Sequence, residues 1–124
     1  MKIKPDVITV QSIQGYGPGW VQVAGQDDRI TRSVIISSGG ERLDWLCDAF
    51  EDLRAEHFEQ LAQLQTELVI FGSGSRLRFV APALTQALIR RQIGLETMDT
   101  QAACRTYNIL AGEGRNVAAA LLMR

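Results

Sequence analysis

Glu67-Leu68-Val69-Ile70-Phe71-Gly72-Ser73-Gly74 is the stretch that decides the fold. Five residues from Glu67 to Phe71, four of them apolar, read as a short strand buried on both faces, and two glycines end it. Downstream, Pro82 to Gln92 reads as a helix, with proline in its first turn and Gly94 at its end. Leu95 to Met98 is a second strand. Asp99 or Thr100 then caps a helix that carries Ala102, Ala103 and Ile109 and stops at Gly112-Glu113-Gly114. Val117 to Leu122 makes a last strand. The C-terminal half therefore reads β-α-β-α-β, and such crossovers join parallel strands, almost always with right-handed connections.

Working back from that half, the N-terminal forty residues are strand-like. Val7 to Ile13 reads as a strand, and Gly15-Tyr16-Gly17-Pro18-Gly19 as a break in regular structure. Trp20 to Val23 resumes a strand, Gly25-Gln26-Asp27-Asp28 reads as a hairpin connection, and Arg29 to Ser37 as a further strand ended by Ser38-Gly39-Gly40. Leu53, Phe58, Leu61 and Leu64 recur at helical spacing, which places a helix over about Ala55 to Leu64 with His57 on its apolar side. Trp45 and Phe50 belong either to the start of that helix or to a segment covering the sheet. The whole reads as one α/β domain over residues 1–124, with a β-rich N-terminal half.

Composition narrows the function classes. Thirteen basic and fourteen acidic residues give a net charge of −1 and a pI near 5.8. Nucleic-acid binders carry a basic face, and here only Arg76 to Arg78 and Arg90-Arg91 are locally basic, so no nucleic-acid partner is expected. Cys47, Cys104 and His57 are the only Cys and His residues. A structural zinc site needs four such ligands, so no metal is expected, and no motif points to a cofactor. The longest apolar run, Val117 to Met123, is too short to cross a bilayer. With no long apolar segment near Met1, the chain is expected in the cytoplasm with reduced thiols.

Topology places one candidate cleft. If the strands at 67–71 and 95–98 are parallel, the loop Gly72 to Arg76 and the turn Asp99-Thr100 meet at one sheet edge, where ligands of open α/β sheets bind. A glycine-rich turn and a helix N-terminus favour an anion there. Ser73, Arg76, Asp99, Thr100 and Arg105 are the candidate ligand-binding residues, with Arg76 or Arg105 as a guanidinium fork for a carboxylate or phosphate. The competing structural readings are a tight strand exit for Gly72 to Gly74, a helix cap for Asp99, and ion pairs with Asp99 or Glu96 for the arginines. Cys104 lies near a helix N-terminus beside Arg105, yet a catalytic cysteine needs a base and His57 sits on another helix. No catalytic residue is assigned.

Several blocks occur together in order: Gly15-Tyr16-Gly17-Pro18-Gly19-Trp20, Arg32 to Ile36, Glu67 to Phe79, and Met98-Asp99-Thr100 followed by Ala102-Ala103-Cys104-Arg105-Thr106-Tyr107-Asn108. With these blocks the chain, over about residues 5–122, resembles the family of bacterial and archaeal domains of unknown function that also contains a mitochondrial complex I assembly factor. The resemblance implies a three-layer α/β fold with a central mixed sheet and no established enzymatic activity. It also implies an interaction or assembly protein whose partner is a respiratory-complex subunit. The family pattern often has threonine at Ser73 and a proline sooner after Phe79; here Val80-Ala81 intervene before Pro82, which shifts the helix start. Trp20, Trp45 and Tyr107 are the aromatic residues expected to contribute to an exposed partner patch, and an unpaired sheet edge near either terminus would favour a homodimer.

Overall fold

The computed structural model describes residues 10–124. The expected strand residues Val7, Ile8 and Thr9 lie outside them. A five-stranded mixed sheet forms the middle layer, built from β3 (Val34–Ser37), β4 (Arg42–Asp44), β5 (Leu68–Gly72), β6 (Gly94–Met98) and β7 (Val117–Leu121) in the order β4-β3-β7-β5-β6. β1 (Ile13–Gly17) and β2 (Trp20–Val23) form a separate antiparallel hairpin. The helices are α1 (Ala55–Ala62), α2 (Gln86–Arg90) and α3 (Thr100–Gly112).

β5 is parallel to both β6 and β7, as the crossover argument requires. β3 runs antiparallel to β7, which makes the sheet mixed. The last strand in sequence is thus central rather than an edge; β4 and β6 are the edges. All five residues of β7, Val-Ala-Ala-Ala-Leu, are buried. Three consecutive alanines have poor strand propensity, but their small side chains let layers approach the sheet from both sides.

One face of the sheet is covered by the β1–β2 hairpin and α3. There Val21, Ile36, Ile70, Cys104, Tyr107 and Ala119 share a core. On the other face α1, α2 and the segment around Trp45 cover Ile35, Val69, Phe71 and Ala120. Trp45, Phe58 and Phe71 meet edge-to-face, with ring centroids 5.9 to 6.0 Å apart. Each such pair contributes about 0.5–1.5 kcal/mol beyond its buried area. Trp45 therefore belongs to a covering segment, and α1 begins only at Ala55.

The structure departs from the expected elements as follows: residues 10–12, read as part of a first strand, are not in one, since β1 begins at Ile13. The glycine-rich stretch does not break the strand: β1 continues to Gly17, and only Pro18-Gly19 turns. The Trp20 ring lies across Gly17, where a Cβ would come within 2.5 Å of the indole nitrogen. Arg29 to Ser37 is not one strand. Ile30 bridges to Val21 in the hairpin, while Val34 starts β3 in the main sheet, so the chain must change sheets between them. β4, with all three residues exposed, lacks the alternation that would reveal it. Finally, Pro82–Thr85 is a 3-10 turn before α2, and Gly94 opens β6 instead of ending the helix. Gln92, at φ 57°, supplies the left-handed residue that stops α2.

Ala119→Leu puts three extra carbons into the central strand between packed layers. It should cost about 1–3 kcal/mol, read as a lower urea midpoint with an unchanged slope.

Candidate functional site

The carboxyl ends of β5, β6 and β7 lie on one edge, since all three run parallel. Thr100, the first residue of α3, joins them. Its Oγ1 donates to the Leu122 carbonyl at 2.5 Å and accepts from the Gly74 N–H at 2.9 Å. Its own N–H donates to the Gly74 carbonyl at 2.9 Å. Gly74, at φ 101°, is needed here: a Cβ would fall 1.8 Å from the Arg124 carbonyl oxygen.

A cleft of about 390 Å3 opens at this edge, lined by Gly17, Pro18, Gly19, Gly74, Ser75, Thr100, Gln101 and Met123. The β1–β2 turn folds over it, a placement that needs the tertiary structure to see. Of the five candidate residues, Thr100 lines the cleft. Ser73 is buried, and its hydroxyl is spent on the loop: it donates to the Arg76 carbonyl at 2.7 Å and accepts from the Arg78 N–H at 3.0 Å. Asp99 caps α3 by accepting the Ala102 N–H at 3.0 Å. Arg76 is exposed. Arg105 reaches the Tyr16 hydroxyl at 3.3 Å and stacks over that ring. Among the described residues neither arginine forms an ion pair with Asp99 or Glu96.

The arginine that organises the loop is Arg78. Its guanidinium donates to the carbonyls of Ser73 and Arg124 at 2.7 and 2.9 Å, pairs with Glu51 at 3.3 Å, and lies 4.8 Å over the Phe50 ring. With Arg78 turned inward, its neighbours Leu77 and Phe79 point outward, 53% and 70% exposed. Nothing in Leu77-Arg78-Phe79 itself signals this, because the inward turn of Arg78 rests on Glu51, Phe50 and Arg124, all remote in sequence.

Residues 105–108 have a structural task. Asn108 brackets Ile13, accepting its N–H and donating to its carbonyl, each at 2.8 Å. The Tyr107 hydroxyl donates to the Gln11 carbonyl at 2.6 Å. Together with Arg105 on Tyr16, they latch the N-terminal hairpin onto α3. Tyr107 and Trp45 are buried, so neither contributes to an exposed patch. Burial pushes the Cys104 thiol up to about 12, with Arg105 opposing too weakly to make a thiolate. His57 is also structural: Nδ1 accepts the Arg54 N–H at 2.9 Å, and Nε2 lies 2.8 Å from the Leu46 carbonyl.

The family model described as protein of unknown function (DUF498/DUF598) matches residues 13–122. The chain belongs to this family. A family relative, an uncharacterized protein of Rhodobacter capsulatus, is 34% identical over 110 residues, covering 89% of this chain and 82% of that protein. The chain is also similar to NADH dehydrogenase (ubiquinone) 1 alpha subcomplex assembly factor 3 of Bos taurus, 34% identical over 82 residues. That match covers 64% of this chain and 45% of the bovine protein, so the chain matches less than half of that relative's length. Among solved structures, a Bordetella parapertussis protein has a TM-score of 0.84 at 34% identity, covering 91% of this chain and 95% of that one. A Bordetella pertussis protein described as an Mth938-like domain has a TM-score of 0.80 at 27% identity, covering 98% and 90%. No helix among the described residues is long and apolar enough to cross a membrane.

Asn108→Ala removes both bonds to Ile13 and leaves two backbone groups without partners. It should cost about 1–3 kcal/mol, and amide exchange should quicken in β1 and β2 while β5 and β7 stay protected.

Proposed function

We propose that this chain is a one-domain cytoplasmic interaction protein that assists assembly of a respiratory complex by binding one of its subunits. One observation carries the reading: Leu77 and Phe79 stand exposed on a loop fixed by Arg78 and Ser73. A partner gains most from apolar anchors that lose little freedom on binding, and a pinned loop presents such anchors. The similarity to an assembly factor supports the partner class. The consumption of Ser73, Asp99 and Arg105 in internal contacts leaves little polar chemistry for catalysis.

A second reading, a small anionic ligand in the strand-end cleft, is favoured by the cleft itself, which lies where parallel topology puts it. It needs Arg76 to swing from solvent to the mouth of the cleft. Saturable phosphate-induced amide shifts at Ser75 and Gln101, lost in Arg76→Ala, would support it over the first reading.

The test of the first reading is photo-crosslinking in the host from Phe79→p-benzoylphenylalanine, with Ile109→p-benzoylphenylalanine, on the outer face of α3, as control. A crosslink to a respiratory-complex subunit is expected from position 79 alone, weakened several-fold by Leu77→Ser. Equal labelling from both positions, or none from 79, would refute the reading.

A further inference from the structure

The five-stranded sheet ends in β4 on one side and β6 on the other, and the two edges are built differently. β4 has three residues, and ion pairs flank it, Arg42 with Asp28 at 2.6 Å and Asp44 with Arg32 at 3.7 Å. A short edge strand under charged side chains resists further pairing. β6 has five residues, matched one for one with β5 from Gly94 to Met98 without a bulge. It contains no proline and a single charged residue, Glu96.

The hydrogen bonds to β5 fix which way each β6 residue faces. The Gly94 N–H donates to the Glu67 carbonyl at 3.0 Å, and the Met98 carbonyl accepts the Ser73 N–H at 2.8 Å. In a parallel ladder alternate residues direct both backbone groups to the same neighbour, so Gly94, Glu96 and Met98 face β5. Leu95 and Thr97 turn their N–H and carbonyl groups outward, where no described strand meets them. Side chains alternate as well. Leu95 packs, half-buried, against the core of Trp45 and Phe71, whereas Met98 packs against the core under α3. Glu96 shares the face of Met98, is exposed, and has no ion pair among the described residues.

We propose that the free edge of β6 takes an extended segment of the partner protein as a sixth, antiparallel strand, with a lysine or arginine opposite Glu96. The proposal rests on the partner-binding reading above and names the surface and the segment. One partner residue exchanges backbone bonds with Leu95, and another, two positions on, with Thr97. The residue between them stands opposite Glu96 in the non-hydrogen-bonded position, where Cα atoms approach to about 4.5 Å. Charge complementarity selects the occupant. A second copy of this chain satisfies all four outward groups only in the antiparallel register that sets Glu96 against its own counterpart, and like charges directly opposite are destabilising. A basic residue at that position gains what the second copy loses.

The test is an amide-resolved NMR titration of the full chain with two blocked peptides, acetyl-Thr-Val-Lys-Val-Thr-amide and the same peptide with glutamate in place of lysine. The lysine peptide should move the Leu95 and Thr97 amides downfield saturably and slow their exchange with water, while the β4 amides stay in place. The glutamate peptide should bind roughly fivefold more weakly, and Glu96→Lys, at an exposed position, should reverse that preference. Thr97→Pro removes one outward N–H on the solvent side of an edge strand, where proline is tolerated, and should weaken both peptides roughly tenfold. Should that variant fail to fold, the reversal in Glu96→Lys decides alone. No saturable shift at Leu95 and Thr97, equal affinity for the two peptides, or an unchanged preference in Glu96→Lys would overturn the proposal. Concentration-dependent shifts at the same amides without peptide would overturn it in favour of a second copy. A failed titration with the position-79 crosslink intact would remove the edge site and leave the partner reading standing.

Discussion

β7 reaches the sheet last in chain order, yet it lies at the centre, hydrogen-bonded to β3 on one side and β5 on the other. Until Val117–Leu121 is in place, the N-terminal strands β3 and β4 have no connection to β5 and β6. Both cores close on this strand, Ala119 facing one and Ala120 the other. Its small side chains set how near α3 and the aromatic layer can come. Such long-range closure makes for slow, cooperative folding.

The same strand fixes the edge where the candidate cleft lies. With β5, β6 and β7 parallel, their carboxyl ends gather, and Thr100 ties the Gly74 loop to the end of β7. In that loop Ser73 and Arg78 serve as internal fasteners. Ser73, which looks chemical in the sequence, is spent inside the loop, while Leu77 and Phe79 stand exposed on it beside Ser75 and Arg76. Exposed apolar side chains on a hydrogen-bonded loop are features that protein recognition uses.

Legibility in the sequence followed the range of the interaction. β5, β6, α3 and β7 each announce themselves within their own residues, through apolar runs, Asp99 as a cap and Gly112-Glu113-Gly114 as a stop. Parallel pairing of β5 and β6 follows from the helix between them. The N-terminal half is decided at a distance instead. Gly17 stays in β1 because of Trp20, Ile30 leaves the expected strand to pair with Val21, and β4 exists through its pairing with β3. The candidate site shows the same division. The edge and the cleft follow from topology, but Thr100 is spent on the Leu122 carbonyl, Arg78 on the Arg124 carbonyl and Arg105 on the Tyr16 hydroxyl, all remote in sequence. The block at 105–108 was recognisable as a pattern, while its task as a latch needed Gln11, Ile13 and Tyr16 beside it.

The central claim is that this fold works by binding a protein and not by holding a small anion at the strand ends. Native mass spectrometry of the chain drawn gently from its own host addresses that choice directly. The account predicts a complex whose added mass is that of a respiratory-complex subunit, with no small molecule retained. A stoichiometric small anionic mass on the chain, lost in Arg76→Ala and unaccompanied by a protein, would contradict it.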